Sequence, residues 1–226
     1  MRAFLCGGGS GEKSKDAYEK LSDVIDKDKA LLYIPIAMEY DKMDDCYNWI
    51  TEELKEYNIE NIEMIRTFKE LENIDLSNYG AVFLGGGNTF KLLFELKLTG
   101  FYDKLKEYID NDGIVFGGSA GAIVMGKDIK PCECDDENKV GIANTKGFDI
   151  LNGFCIFCHY LNRDEEKNEA NTNYLKVLSN EYRIIALPED DTIFVSEDGI
   201  EVFGDKPYYI FDAEQITKIE KWATRW

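Results

Sequence analysis

The chain has 226 residues, of which 44% are hydrophobic and 31% are charged, so it is long enough to bury a sizeable core and too apolar to be disordered. Its 44 acidic and 26 basic side chains give a net charge of −18. A surface this negative repels phosphate backbones and anionic lipids, so we expect no nucleic acid partner and no membrane partner.

The sequence carries no segment that predicts export or membrane insertion. The first apolar run, residues 3–6, is shorter than the core of a signal peptide, and no later run approaches the roughly 20 apolar residues of a membrane span. Six cysteines are too few for a disulfide scaffold in a chain of this length, which favours reduced thiols. We therefore expect a cytoplasmic enzyme or binding protein.

Strand-like and helix-like segments alternate through the first part of the chain. Short apolar runs predict strands at residues 2–6, 30–37, 62–65, 81–84 and 114–116. Apolar residues at helical spacing predict helices at residues 14–26, 43–57, 89–96 and 101–109, and residues 122–125 are predicted to begin a further helix. This alternation predicts an α/β fold with three layers, in which a mostly parallel sheet lies between helices.

The elements are less regular beyond residue 126. Residues 127–146 are polar and predict a surface excursion, and residues 166–178 predict a helix. Residues 184–187 predict a buried strand, and residues 192–196 and 201–203 predict a hairpin around Asp198 and Gly199. Because the sequence contains no repeat and no linker, we expect one domain over residues 1–226.

The most specific motif is the turn at Ser119. Residues 117–121 (Gly-Gly-Ser-Ala-Gly) fit the pattern G-x-S-x-G and lie between a predicted strand and a predicted helix. A sharp turn of this kind lifts the serine hydroxyl clear of the sheet, and the following helix directs backbone N–H groups to the same point. The pattern predicts a nucleophile elbow, with a glycine-rich turn that has no chemical role as the alternative.

A serine nucleophile needs a base, and His159 is the only histidine in the chain. It follows the apolar run at residues 154–158, which places it at the end of a predicted strand. A third, acidic group must orient the imidazole. Glu189, Asp190 and Asp191 follow the strand at 184–187, whereas Asp149 would give the chain order of the α/β-hydrolases. These residues alone leave both sources of the acid open.

Two further glycine runs resemble ligand-binding loops, and only one of them keeps the required spacing. Residues 85–87 are all glycine and precede a predicted helix, so their N–H groups suit a bound anion or carbonyl oxygen, although a tight turn without a ligand has the same pattern. The run at residues 7–11 begins like a dinucleotide-binding fingerprint. It fails on spacing, because Glu12 stands where the last glycine is required.

The cysteines offer two alternatives that we weigh against catalysis. Residues 155–159 spell C-x-x-C-H, the attachment pattern of c-type haem, but haem attachment belongs to exported proteins. A structural zinc site would draw on Cys132, Cys134, Cys155 and Cys158, although a C-x-C half is unusual. We expect buried reduced thiols, with no metal and no cofactor.

In these motifs the chain resembles the peptidase E family of serine peptidases, whose members include α-aspartyl dipeptidase and, more distantly, cyanophycinase. The resemblance rests on residues 85–90 (Gly-Gly-Gly-Asn-Thr-Phe), 118–122 (Gly-Ser-Ala-Gly-Ala) and 147–149 (Gly-Phe-Asp), on His159, and on 187–189 (Leu-Pro-Glu). It implies a sandwich similar to class I glutamine amidotransferases, with a serine in place of the cysteine nucleophile.

The resemblance also implies roles for individual residues. Ser119 matches the family nucleophile, His159 its general base and Glu189 its acid, which selects Glu189 over Asp149. The matches to the backbone donors of the oxyanion hole are Gly87 and Ala120. We assign substrate binding to Asn88, Thr89 and Arg163.

The implied activity is hydrolysis of short peptides, with release of an N-terminal residue and with a homodimer as the oligomeric state we consider. In aspartyl dipeptidases a tryptophan precedes the nucleophile, whereas Gly118 stands there in this chain. Selection of an N-terminal aspartate would require a local cation, for which we nominate Arg163. The alternatives are a non-catalytic ligand-binding protein on the same fold and a hydrolase of a modified aspartyl amide bond.

Overall fold

A computed structural model describes residues 1–220, which contain eleven strands and six α-helices. The strands are β1 (Arg2–Cys6), β2 (Ala30–Ile34), β3 (Ile62–Met64), β4 (Tyr79–Leu84), β5 (Ile114–Gly118), β6 (Phe154–Phe157), β7 (Arg183–Ala186), β8 (Thr192–Ser196), β9 (Gly199–Phe203), β10 (Tyr208–Asp212) and β11 (Gln215–Ile219). The helices are α1 (Lys15–Val24), α2 (Met43–Lys55), α3 (Thr89–Leu98), α4 (Phe101–Asp110), α5 (Ala120–Met125) and α6 (Glu165–Leu178).

The larger sheet has seven strands in the order β3-β2-β4-β5-β1-β8-β9. Its first five strands are parallel, and β8 and β9 add an antiparallel hairpin at one edge. Every residue of β2 is buried, as expected of a parallel strand covered on both faces. The prediction of an α/β fold with a mostly parallel sheet is confirmed.

Apolar side chains fill the space on both faces of this sheet. One face packs against α3, α4 and α5, and the other packs against α1 and α2. On the second face, the rings of Phe4, Phe116 and Phe83 stack with centroid separations of 5.4 and 4.6 Å. Burial of these large rings accounts for much of the hydrophobic free energy that holds the layers together.

A second sheet of four strands, in the order β11-β10-β7-β6, packs beside the first. Strands β6 and β7 are parallel, whereas β10 is antiparallel to both of its neighbours. The sequence predicts β6 and β7 as apolar runs but gives no sign of a separate sheet, because hydrophobic periodicity does not encode which strands pair. Strand β11 is mostly exposed, so it carries no apolar run to detect.

The segment at residues 127–146 lies mostly at the surface, but its first part packs against the fold. A bridge between Asp128 and Lys146 closes it, and a 3₁₀ turn at Lys130–Cys134 lies within it. Ile129, Pro131 and Cys132 are buried, so the segment packs against the body of the fold.

No helix within residues 1–220 is both long and apolar enough to cross a membrane. The expectation of one domain stays a prediction, and residues 221–226 of its predicted range lie outside the described residues.

Candidate active site

Ser119 lies between the end of β5 and the start of α5, as the motif predicts. Its φ of +53° and ψ of −112° are rarely adopted by a non-glycine residue. The flanking glycines permit this turn, because a Cβ at Gly117 would overlap the carbonyl of Gly121, and a Cβ at Gly121 would overlap the carbonyl of Leu84. The Ser119 N–H donates to the Cys6 carbonyl at 3.1 Å, which fixes the turn to β1.

His159 reaches the same point from the second sheet. It follows β6 with a φ of +57°, and its N–H donates to the Gly7 carbonyl at 3.0 Å, across the boundary between the two sheets. The imidazole Nε2 lies 2.8 Å from Ser119 Oγ. The only histidine of the chain is therefore within hydrogen-bonding distance of the serine in the elbow.

Glu189 completes a hydrogen-bonded series that runs from serine to histidine to glutamate. Its Oε1 lies 2.9 Å from His159 Nδ1. The two residues meet because β6 and β7 are parallel, so both strands end at the same edge of the second sheet. A carboxylate accepts from Nδ1–H, which leaves the Nε2 lone pair to accept the Ser119 hydroxyl proton.

A lysine that the sequence analysis did not identify holds the other oxygen of this carboxylate. Lys13 Nζ donates to Glu189 Oε2 at 2.8 Å. Partial burial alone raises the pKa of Glu189, but the hydrogen bonds from Lys13 and His159 outweigh it, so the pKa lies below its usual value. The same hydrogen bond raises the pKa of Lys13. No local sequence motif predicts this ion pair, because Lys13 and Glu189 are 176 residues apart.

The first glycine run packs directly against the histidine and the glutamate. A Cβ at Gly8, whose φ is +111°, would overlap the His159 ring. A Cβ at Gly9 would overlap the Glu189 carbonyl, and one at Gly7 would overlap the Pro188 carbonyl. The sequence of this run does not fit a nucleotide-binding loop, because Glu12 stands where the last glycine is required. The structure shows that its glycines allow close approach to the site.

The second glycine run passes beside Ser119. A Cβ built at Gly86 would lie 3.4 Å from Ser119 Cβ, and Gly87 has a φ of +127° that favours glycine. Within residues 1–220, the N–H groups of Gly87 and Ala120 donate to no other group. Ala120 directly follows Ser119, and Gly87 follows the glycine that approaches Ser119, so these two donors are candidates to bind the oxygen of a carbonyl.

The next two residues of that run are engaged within the protein. Asn88 caps α3 by accepting from the Lys91 N–H at 2.9 Å, and its amide donates to the Glu137 carbonyl at 3.0 Å. The Thr89 N–H donates to Asp136 Oδ2 at 2.8 Å, and its side chain is fully buried. These contacts fasten the segment at 127–146 to the start of α3, and substrate binding by Asn88 and Thr89 stays a prediction.

Arg163 lies four residues beyond His159 and faces a carboxylate of the protein. Its Nη2 is 3.8 Å from Asp135 Oδ2, and Lys167 Nζ is 2.9 Å from the other oxygen of Asp135. The Arg163 side chain is 40% exposed, so it is accessible to a ligand. Its predicted role in substrate binding is not tested by these contacts.

Asp149, the rival acid in the sequence analysis, lies elsewhere. Its Oδ1 accepts from the Gly153 N–H at 2.6 Å, and the residue has a φ of +57° in the turn that precedes β6. The carboxylate on the imidazole belongs to Glu189 instead. The geometry therefore does not support the serine, acid, histidine order of the α/β-hydrolases.

The four cysteines considered for zinc are divided between two apolar clusters. Cys132 and Cys158 lie in the core of the larger sheet, whereas Cys155 and Cys134 pack in the core of the second sheet. Burial raises the pKa of Cys155 to about 12, which disfavours its thiolate. Within residues 1–220, no three histidine, cysteine or acidic side chains are grouped to hold a metal ion. Cys158 donates instead to the Ser119 carbonyl, at 3.5 Å.

Comparisons with known proteins agree with this geometry. The model of peptidase family S51 matches residues 3–203. The chain is 27% identical to peptidase E of Nostoc sp. strain PCC 7120 over 196 residues, which covers 81% of this chain and 76% of that protein. It is 30% identical to peptidase E of Escherichia coli O1:K1 over 153 residues, which covers 64% of this chain and 65% of that protein.

Two solved structures share the fold. A candidate peptidase E from Listeria monocytogenes EGD-e has a TM-score of 0.72 at 21% identity, over 90% of this chain and 98% of that one. A peptidase from an acI-B1 actinobacterium has a TM-score of 0.69 at 16% identity, over 97% of this chain and 93% of that one. With the family match over most of its length, the chain belongs to peptidase family S51 and is a hydrolase of the serine peptidase type.

Proposed function

We propose that the chain is a dipeptidase that releases the N-terminal residue of short peptides through Ser119, His159 and Glu189. The observation that carries this proposal is the continuous hydrogen-bonded series of the three side chains, with separations of 2.8 and 2.9 Å. The backbone N–H groups of Gly87 and Ala120, which we propose as oxyanion donors, have no acceptor among the described residues. These contacts support the assignment of Ser119 as nucleophile, His159 as base and Glu189 as acid in acyl transfer.

The reaction follows from these positions. Ser119 Oγ attacks the scissile carbonyl carbon while His159 Nε2 takes the hydroxyl proton, and Glu189 stabilises the imidazolium that forms. The N–H groups of Gly87 and Ala120 bind the tetrahedral oxyanion, at about 3 kcal/mol for each donor. His159 then protonates the leaving amine, and the C–N bond breaks. Water attacks the acyl-enzyme by the same steps and releases the first residue.

The preference for short peptides is supported by the family and by the charge of the chain. The relatives carry the name peptidase E, and a net charge of −18 attracts the ammonium group of a small peptide. A substrate with an acidic first residue needs a cation, and Arg163 is our candidate. Because this guanidinium already faces Asp135, an incoming carboxylate must compete with that contact.

The replacement Ser119→Ala tests the proposal. We expect dipeptide hydrolysis to fall by at least about 10⁴-fold with the far-UV circular dichroism unchanged, because only the nucleophile is removed. The matched control is Ser10→Ala, an exposed serine in the loop after β1, which should keep the wild-type rate. A Ser119→Ala variant that hydrolyses dipeptides within tenfold of the wild type would contradict the assignment.

Substrate preference is tested with dipeptides that differ only in the first residue. A panel of aspartyl, alanyl and isoaspartyl dipeptides compares kcat/KM for ordinary and modified linkages. If Arg163 binds the aspartate side chain, Arg163→Gln should lower kcat/KM more for the aspartyl than for the alanyl dipeptide. Equal losses on both substrates would remove Arg163 from the specificity site, and a preference for the isoaspartyl linkage would favour a hydrolase of modified aspartyl bonds.

A further inference from the structure

The outer oxygen of the Glu189 carboxylate is held by a cation. His159 Nδ1 lies 2.9 Å from Oε1, and Lys13 Nζ lies 2.8 Å from Oε2. We propose that Lys13 is a positioning residue, which fixes the Glu189 carboxylate so that its inner oxygen stays on the imidazole. This inference rests on the proposed function of Ser119 and His159, and it adds a fourth side chain to their arrangement.

The loop after β1 delivers Lys13 to this place. Gly7–Gly9 pass under the histidine and the glutamate, and the 3₁₀ turn Gly11–Ser14 then turns Lys13 back toward the carboxylate. Further hydrogen bonds hold the loop itself. The Gly7 N–H donates to the Asp191 carbonyl at 2.9 Å, and the Gly11 N–H donates to Glu53 Oε2 at 2.8 Å.

Contacts at both oxygens restrict rotation of the carboxylate about its last side-chain bond. The Glu189 side chain is 23% exposed, so water would compete for an oxygen that no protein group holds. With the ammonium group in place, turning Oε1 away from His159 also costs the ion pair with Lys13. Among residues 1–220, the titratable groups that act on the carboxylate are Lys13 and His159, and Asp190 acts more weakly on the lysine.

Removal of the lysine charge should change the pKa of Glu189 in a predictable direction. A nearby cation favours the ionised carboxylate, so loss of the lysine charge raises the pKa of Glu189. Because the ionised carboxylate is the form that orients the imidazole, the acidic limb of the pH–rate profile should move to higher pH. A lysine that only stabilised the loop would change the height of the profile and leave the position of its limb unchanged.

The experiment measures the rate of Ser119 modification by a fluorophosphonate as a function of pH. The variants are Lys13→Met, which removes the charge, and Lys13→Arg, which keeps it. Lys15→Met is the matched control, because Lys15 is exposed and forms no ion pair among residues 1–220. We expect Lys13→Met to react about tenfold more slowly with its acidic limb at higher pH, and both other variants to behave like the wild type.

Two results would overturn the inference. One is a Lys13→Met profile identical to that of the wild type, and the other is a slower reaction whose acidic limb has not moved. The readout does not depend on which peptide is cleaved. Failure to hydrolyse any dipeptide would therefore count against the proposed function, whereas these two results count against Lys13 alone.

Discussion

The carboxyl edge of the seven-stranded sheet supplies Ser119, whereas the carboxyl edge of the four-stranded sheet supplies His159 and Glu189. The first region is built locally, because β5, the turn and α5 are contiguous and the glycines of the turn make room for it. The second region depends on contacts between the sheets. The N–H of His159 donates to the loop after β1, and the same loop supplies Lys13.

This difference shows which contacts determine the positions of the serine and of its base. The nucleophile turn is formed by contiguous residues and is anchored to β1 of the same sheet, whereas the position of its base depends on how the second sheet is held against the first. Substitutions at the boundary between the sheets should therefore reduce activity through misplacement of the imidazole, even where they touch neither substrate nor serine.

The largest effect that distinguishes the two regions is expected from His159→Ala. Without a base the Ser119 hydroxyl is a weak nucleophile, so kcat for a cleavable dipeptide should fall by about 10⁴-fold. The chain has no second histidine to take over. Steady-state kinetics near neutral pH measure the effect. A residual kcat within tenfold of the wild type would mean that the second sheet does not supply the base.

A smaller effect is expected from Gly8→Ala, which acts at the boundary between the sheets. The added Cβ would overlap the His159 ring, so we expect kcat to fall by about 10²-fold. Gly11→Ala is the matched control, because Gly11 also has a positive φ but nothing lies within 4 Å of its Cβ. If both variants lost the same activity, backbone strain in the loop would be the cause and not displacement of the imidazole.

The smallest effect concerns stability as a function of pH. The lowered pKa of Glu189 means that its carboxylate stabilises the folded chain above the pKa of the unfolded state, and that this stabilisation is lost as pH falls through the folded pKa. We expect Glu189→Gln to lower the free energy of unfolding at pH 7 by less than about 1 kcal/mol. The difference should begin to shrink below about pH 4.3, the pKa of the carboxyl in the unfolded chain, and should be lost once the pH is below the lower folded pKa.

Urea denaturation at a series of pH values measures this difference. Glu197→Gln in the exposed turn between β8 and β9 is the control, and it should show no such dependence. A destabilisation by Glu189→Gln that grew toward acid pH would reverse the sign that the ion contacts require.

Most of the correct predictions of strands and turns come from patterns among residues that are close together in the chain. The five parallel strands of the larger sheet, the hairpin of β8 and β9 and the turn at Ser119 are all visible as apolar runs or as glycine-rich turns. They can be read from the sequence because each depends on residues that are close together in the chain. The positions of His159 and Glu189 at strand ends follow from the same reasoning.

Features that depend on distant contacts could not be predicted. The division into two sheets depends on strand pairing, and the exposed strand β11 has no apolar pattern at all. The ion pair of Lys13 with Glu189 joins residues 176 positions apart. The role of Gly7–Gly9 also depends on residues far away in the chain. The His159 ring and the Glu189 carbonyl approach these glycines too closely for a Cβ, and the sequence does not show that approach.

The most direct test of the central claim, that one serine and one histidine from different sheets form the reactive pair, is to map the residue that a fluorophosphonate modifies. Protein treated with the reagent is digested, and the peptides are sequenced by mass spectrometry. We predict a single adduct on Ser119 in the wild type and its near-complete loss in His159→Ala. An adduct on another residue, or equal labelling of Ser119 without the histidine, would contradict the account.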